Sequence, residues 1–410
     1  MLTKLKIKKL KKGRKMKTVK ILLSILFVML MLTSVSFSQD AIPSGTARYE
    51  ALGYNPFLWD ASIDINRNPA WAGYYQNYLF GDIGRHKVTG TQYELTGQFA
   101  GVNFGVSKEI SLGLVANKRE DKWNDFLSWG AVPGIAEPIV PLKVLFAYAT
   151  KEFSIGVAPY IAMWSLDSTL NNVKQEWSSM SLGGQVGTVV NFDKNLFEAS
   201  IGVKTNKYEY KTTNYTDKTD GGLQLDAFLR GKFYFERKSS VAFVPYVYFG
   251  TFSWTPNANN VAGNDYKQMQ LAVGTGINMP VLDDGLLMGG LSFGYYTYEV
   301  TNIYEVTQMD FPKINGGLEW SFTDWLIGRL GYSRSIISEK VTVKAVTPNA
   351  EWNIKYPTDP TQTITLGFGM HFGRFSIDGT VGERLLKEGP NVITGNNNDL
   401  FGVISASYKF

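Results

Sequence analysis

The feature that most constrains this 410-residue chain is a rhythm. From residue 74 to residue 410 it repeats stretches of roughly ten residues in which apolar side chains alternate with polar or small ones. In residues 222–235 the odd positions carry Leu223, Leu225, Ala227, Leu229, Phe233 and Phe235, and the even ones carry Gln224, Asp226, Arg230 and Lys232. A period of two gives a strand two unlike faces. The connections alternate too. Ser107-Lys108-Glu109, Asp193-Lys194-Asn195, Asp283-Asp284 and Gly373-Arg374 are short, while longer polar stretches lie near 119–141, 165–177, 211–221, 255–265, 338–361 and 384–398. That order places all tight turns at one end of an antiparallel sheet. Outer-membrane barrels have this asymmetry, with short periplasmic turns and longer outer loops.

A soluble sandwich or propeller would satisfy the alternation of any one strand. Composition and the N-terminus favour the membrane. Aromatic residues make up 14% of the chain, and Tyr160, Trp164, Trp254, Trp320, Trp325 and Tyr408, near strand ends, are candidates for the two interfacial girdles. An apolar content of 44% suits a barrel that shows lipid one face and keeps a polar lumen. Residues 1–38 read as a cleavable signal peptide, with ten cations and no acid, an apolar stretch at 21–32 and small residues at Ser36 and Ser38. A membrane anchor is the alternative, but the apolar stretch falls short of the ~20 residues a bilayer requires. Those ten cations account for the net charge of +5; without them 31 Lys and Arg face 36 Asp and Glu, a charge of −5. The basicity concerns export and points to no nucleic-acid partner. With no cysteine, the chain has no disulfide, thiolate metal site or lipidated N-terminal Cys.

The expected fold is all-β, an antiparallel transmembrane β-barrel of about 14 to 16 strands, the lower number applying if the weak segment at 75–83 and a neighbour stay outside the wall. The expected setting is the outer-membrane bilayer. The final Tyr408-Lys409-Phe410 resembles the aromatic-x-aromatic end of strands read by the outer-membrane insertion machinery.

Residues 39–73 break the rhythm, and the chain divides into the signal peptide at 1–38, an N-terminal hatch or plug segment at 39–73 and the barrel at 74–410. Pro56 and Pro69 cannot donate to a ladder, and Asn68 before Pro69 is held extended and suits a turn. The stretch is too apolar for a solvated linker, and folding into a wide lumen would bury it; a short periplasmic tail or plain turn is the alternative. Arg48, Ala51-Leu52-Gly53, Asp60-Ala61-Ser62 and Asn68-Pro69-Ala70 follow one another here. This run resembles the N-terminal hatch of the FadL-like superfamily of outer-membrane barrels, the long-chain fatty-acid transport porins and their relatives. Tyr54-Asn55-Pro56-Phe57 stands where that superfamily usually has a Gly-rich run, and the strand count leans above the usual one. Residues 68–73 are also similar to the opening of outer-membrane proteins associated with type IX secretion. The resemblance implies a barrel with its N-terminus folded in, and Arg48, Gly53, Asp60, Asn68 and Pro69 as hatch residues.

Little in the sequence calls for catalysis, a metal or a cofactor. Of the two histidines, His86 falls in the first outer loop and His371 on the polar face of 364–372, where Asp378 is the nearest candidate partner. No Gly-x-Ser-x-Gly or oriented triad accompanies them. With the apolar registers facing lipid, the lumen receives Lys143, Lys204, Arg230, Lys232, Lys313, Arg329 and His371 against Glu198, Asp226, Glu319 and Asp378. Mixed signs fit a water-filled pore or a wall against which the hatch docks, whereas a single-sign ring would mark an ion filter. Small inward residues such as Gly187, Gly276 and Gly290 leave room for a plug or a solute. The functional expectation is a passive channel for small solutes, hydrophobic ones included, gated by the hatch. The alternative is a structural or secretion-associated barrel that works through protein partners.

Overall fold

A computed structural model describes residues 45–84, 98–118, 140–170, 173–235, 240–344, 350–356, 362–381 and 401–410. The expected signal peptide, residues 39–44 of the expected hatch, His86 and the stretches at 119–139 and 382–400 lie outside the described residues. The strands are β1 (Tyr78–Gly84), β2 (Phe99–Gly105), β3 (Ile110–Ala116), β4 (Val140–Ala149), β5 (Phe153–Leu170), β6 (Val173–Phe192), β7 (Asn195–Thr212), β8 (Thr216–Tyr234) and β9 (Ala242–Ala258). They continue as β10 (Val261–Ala262), β11 (Tyr266–Val281), β12 (Gly285–Val300), β13 (Tyr304–Ser321), β14 (Leu326–Val343), β15 (Ala350–Tyr356), β16 (Gln362–Phe372), β17 (Phe375–Val381) and β18 (Phe401–Lys409).

Neighbours pair antiparallel, and β1 pairs with both β2 and β18, which closes the sheet. Two short strands share a stave with the next one. β10 and β11 both lie against β9, and β15 and β16 pair with the far and near parts of β14. The wall is a closed antiparallel barrel of 16 strands. The weak first segment is one of them, because Tyr78 pairs with Lys409 and Asn103.

Burial follows the alternation. Ile155, Val157, Leu182, Val186, Ile201, Val203, Leu223, Leu229 and Leu291 are exposed on the outer face, while Lys143, Glu198, Gln224 and Arg230 are buried on the inner one. An exposed apolar belt around a closed barrel is the surface that lipid covers. Among the described residues no helix is long and apolar enough to cross a membrane; the crossing elements are strands.

Two expectations change. The polar stretches at 165–177, 211–221 and 255–265 are mostly strand, since β5 and β6 pair out to Leu170 and Val173 and the β7–β8 ladder resumes as far as Lys211 and Thr216. Backbone pairing needs no apolar side chain, so the ladders outrun the belt that the pattern reports. At the same end β12 and β13 are joined by a tight turn in which Asn302 takes φ 66, a left-handed conformation that Asn tolerates. Three girdle candidates also point inward. Tyr160 (2% exposed) and Trp254 (3%) are buried, and Trp164 shares the face of Tyr160, because their registers match inward-facing neighbours such as Lys143 and Tyr246. Trp325 and Tyr408 are exposed at the tight-turn end, stacked on Phe372 and Phe410, and Trp320 on the outer register is half-buried.

Before β1 the chain forms α1 (Thr46–Ala51), α2 (Ala61–Arg67) and a 3-10 turn at Pro69–Gly73. Its backbone is tied to inward side chains around the ring. The carbonyls of Ala51, Gly53, Phe57, Ala70 and Ala72 accept from Thr365 (3.0 Å), Asn315 (3.2 Å), Asn278 (3.0 Å), Ser154 (2.7 Å) and Asn103 (2.6 Å), and Ala47 N–H donates to Ser405 Oγ (2.9 Å). These partners lie on β16, β13, β11, β5, β2 and β18, mostly toward the tight-turn end. The segment therefore packs on the inner face of the wall on every side.

Candidate functional site

Inward-facing charge falls into two layers. In the tight-turn half most of the groups hold the N-terminal segment and one another. Arg230, at 1% exposure, lies 3.5 Å over the Trp59 ring and donates to Glu198 Oε1 (2.5 Å), Asp64 Oδ1 (2.6 Å) and the Leu58 carbonyl (2.6 Å). Glu198 also accepts from Trp71 Nε1 (2.6 Å) and Asn68 Nδ2 (3.1 Å). One wall pair thus grips α2, the 3-10 turn and the link before α2. The second node begins at Arg48, which meets Glu319 with two parallel bonds (Nε 2.8 Å, Nη2 3.0 Å) and reaches Asp60 at 3.3 Å. Glu319 is shared with Arg329 (2.6 Å), which also pairs with Asp378 at 2.6 Å. Bidentate guanidinium–carboxylate contacts fix orientation as well as distance.

Three guanidinium groups face five carboxylates in these nodes, so protonation becomes part of the packing. Burial pushes the Asp60 carboxyl up to about 7, against the pull of Arg48 and the Gly45 N–H. Burial likewise raises Asp64, with Arg230 opposing and Glu198 reinforcing. Burial works against the charge of Arg48, yet Glu319 and Asp60 hold it above its ordinary value.

Local sequence places these groups. Asp60 caps α2, accepting from the N–H of Ser62 (3.1 Å) and Ile63 (3.3 Å), and Gly45 N–H joins at 3.0 Å. Asn68, extended before Pro69 as expected, caps the 3-10 turn through Ala70 N–H (3.1 Å), with Pro69 at its first position. Gly53 takes φ +73, and a Cβ there would stand 2.9 Å from the Tyr332 nitrogen. The wall supplies matching gaps. A Cβ on Gly187 would meet Asn68 Oδ1 at 1.9 Å, and on Gly276 the Phe57 ring at 2.4 Å.

The remaining expected lumen residues separate from this layer. Lys143 donates to the Asn66 carbonyl (2.8 Å) and Gln185 (3.2 Å). Lys232 is half-buried at the tight-turn end, 5.5 Å over Tyr234. His371 is half-buried opposite Ser376, while Asp378, its candidate partner, pairs with Arg329 and lies opposite Gly369. Lys204, Asp226 and Lys313 line a chamber of about 440 Å³ whose floor is Tyr49, Tyr54, Pro56 and Arg67 of the N-terminal segment. A second cavity of about 350 Å³ shares Tyr246, Ala272 and Lys313 with it.

Sequence reasoning missed two parts of this arrangement. Asp64 and Arg67, on α2 beside the recognised Asp60, carry no motif that sets them apart. The inner aromatic cluster of Tyr208, Phe252, Trp254 and Tyr298, with Trp254 stacked on Tyr266 at 4.4 Å, lies toward the far end. Its signal was present in the registers of Phe252 and Trp254, which match that of Tyr246.

No protein-family model and no curated protein matches the sequence. Among solved structures the chain is similar to the toluene transporter TodX of Pseudomonas putida, at 10% identity and a TM-score of 0.39, over 91% of this chain and 100% of that one. It is also similar to OmpT of Vibrio cholerae (12%, TM-score 0.33, 81% and 95%) and to the alcaligin outer-membrane receptor FauA of Bordetella pertussis (9%, TM-score 0.32, 81% and 75%). The barrel itself is read from strand pairing and burial.

Proposed function

We propose that the protein is a passive outer-membrane channel for small solutes, hydrophobic ones included, and that the segment beginning at residue 39 and ending at 73 is its gate. One observation carries this reading. Inward charges that already pair within the wall, Arg230 with Glu198 and Glu319 with Arg329, are shared with a separate segment through Arg48–Glu319 and Arg230–Asp64. Ion pairs of this kind hold one geometry well and are lost together when the segment shifts. The chamber on the far side of the segment supplies a place for a solute to wait. A purely structural barrel gains nothing from such a chamber. Liposome swelling and planar-bilayer conductance test the proposal. The full chain conducts little, and deletion of residues 45–73 raises solute entry while the barrel stays folded. Silence in both forms overturns the channel and favours a barrel that works through partners.

A further inference from the structure

The chamber has a chemistry of its own. At about 440 Å³ it falls within the size range of small-molecule sites. Among the described residues Arg67, Lys118, Lys204 and Lys313 line it against one carboxylate, Asp226. That carboxylate accepts from Tyr248 Oη (2.8 Å) and Gln224 Nε2 (2.6 Å). Arg67 lies 4.7 Å over the Phe228 ring, and among the described residues its buried Nη1 makes no hydrogen bond. Flat faces complete the lining, from Tyr49, Tyr54, Phe228, Tyr246 and Tyr248.

Fixed positive charge in a half-enclosed cavity concentrates anions. A guanidinium fork matches a carboxylate, and aromatic faces accept a planar body with little loss of side-chain freedom. We infer that this chamber binds a small aromatic carboxylate, with its charge toward Arg67 and Lys313 and its ring among Phe228 and the tyrosines. The adjoining cavity is lined instead by the amides Gln268, Gln270 and Gln308 with Asp310, so the anion preference ends where the two cavities meet. This reading names a solute class for the proposed channel and rests on it for passage, though not for binding.

Calorimetric titration of the purified full-length barrel with benzoate, benzamide and acetate tests it. Benzoate binds about tenfold more tightly than either comparator, the one lacking the charge and the other the ring. Lys313→Met, and separately Arg67→Met, weaken benzoate about tenfold and leave benzamide unchanged, while Asp226→Asn tightens benzoate. Heat-modifiable migration on gels confirms that each variant is folded. Equal binding of benzoate and benzamide, or no response to Lys313→Met in a folded barrel, overturns the inference. Flux separates the two proposals. Benzoate binding without entry into liposomes, even after removal of residues 45–73, leaves the site standing and removes the channel; entry without charge preference does the reverse.

Discussion

Arg230 shows how a single residue is committed in this fold. It is fully buried, and its donors are divided between Glu198 on the neighbouring strand and Asp64 and the Leu58 carbonyl of the N-terminal segment. The net worth of such a cluster is small, because desolvating the charges offsets most of their attraction, but removal of one member leaves the others buried without a counter-charge. Arg230→Met is therefore expected to lower the free energy of unfolding in urea by about 3–5 kcal/mol. Adding Asp64→Asn and Glu198→Gln should recover much of the loss. A cost below about 1 kcal/mol, the range of an exposed pair, would show that the side chains relax to water. Alternation placed Glu198 and Arg230 on the inner face, but a period of two specifies a face and not a partner. Asp64 entered the site only through the path of the N-terminal segment.

At the scale of the element, the N-terminal segment is tied to the wall by a group whose proton affinity changes on docking. Asp60 has an ordinary value of 3.8 and is pushed up to about 7 where it lies, chiefly by burial. The docked state therefore holds the proton better than the undocked one. The contribution of Asp60 to docking is greatest in acid, falls as pH rises from about 4 to about 7, and is constant above that. Amide exchange of residues 45–73, corrected for intrinsic rates, should accelerate relative to the barrel strands between about pH 4 and about pH 7. Asp60→Asn keeps an oxygen for capping α2 and should remove the acceleration; the same pH response in that variant would assign the effect elsewhere. The starts of these short elements were legible, since Asp60 and Asn68-Pro69 are local signals. The far strand ends were not, because backbone pairing continues past the residues that alternate.

For the whole molecule, the alternation and the order of connections were enough to specify a closed barrel, and pairing of β1 with β18 settles the number of strands at 16. Less legible was the division of the lumen, which depends on how the N-terminal segment crosses it. That division makes the gate testable without deleting anything. The chain has no cysteine, so an introduced pair has no competing thiol. Ala47 N–H donates to Ser405 Oγ at 2.9 Å, so the two residues are neighbours across the segment and β18, and cysteines at both positions are expected to bridge on oxidation, which loss of free thiol checks. If loss of the Asp60 proton loosens the segment, conductance of the reduced Ala47→Cys/Ser405→Cys barrel should rise between about pH 4 and about pH 7, as in the parent. The oxidised barrel should stay closed across the same range and regain the rise on reduction. Equal conductance of the oxidised and reduced forms at the higher pH would mean that solutes pass without movement of the segment near β18, and the gate would then have to lie at another part of the wall.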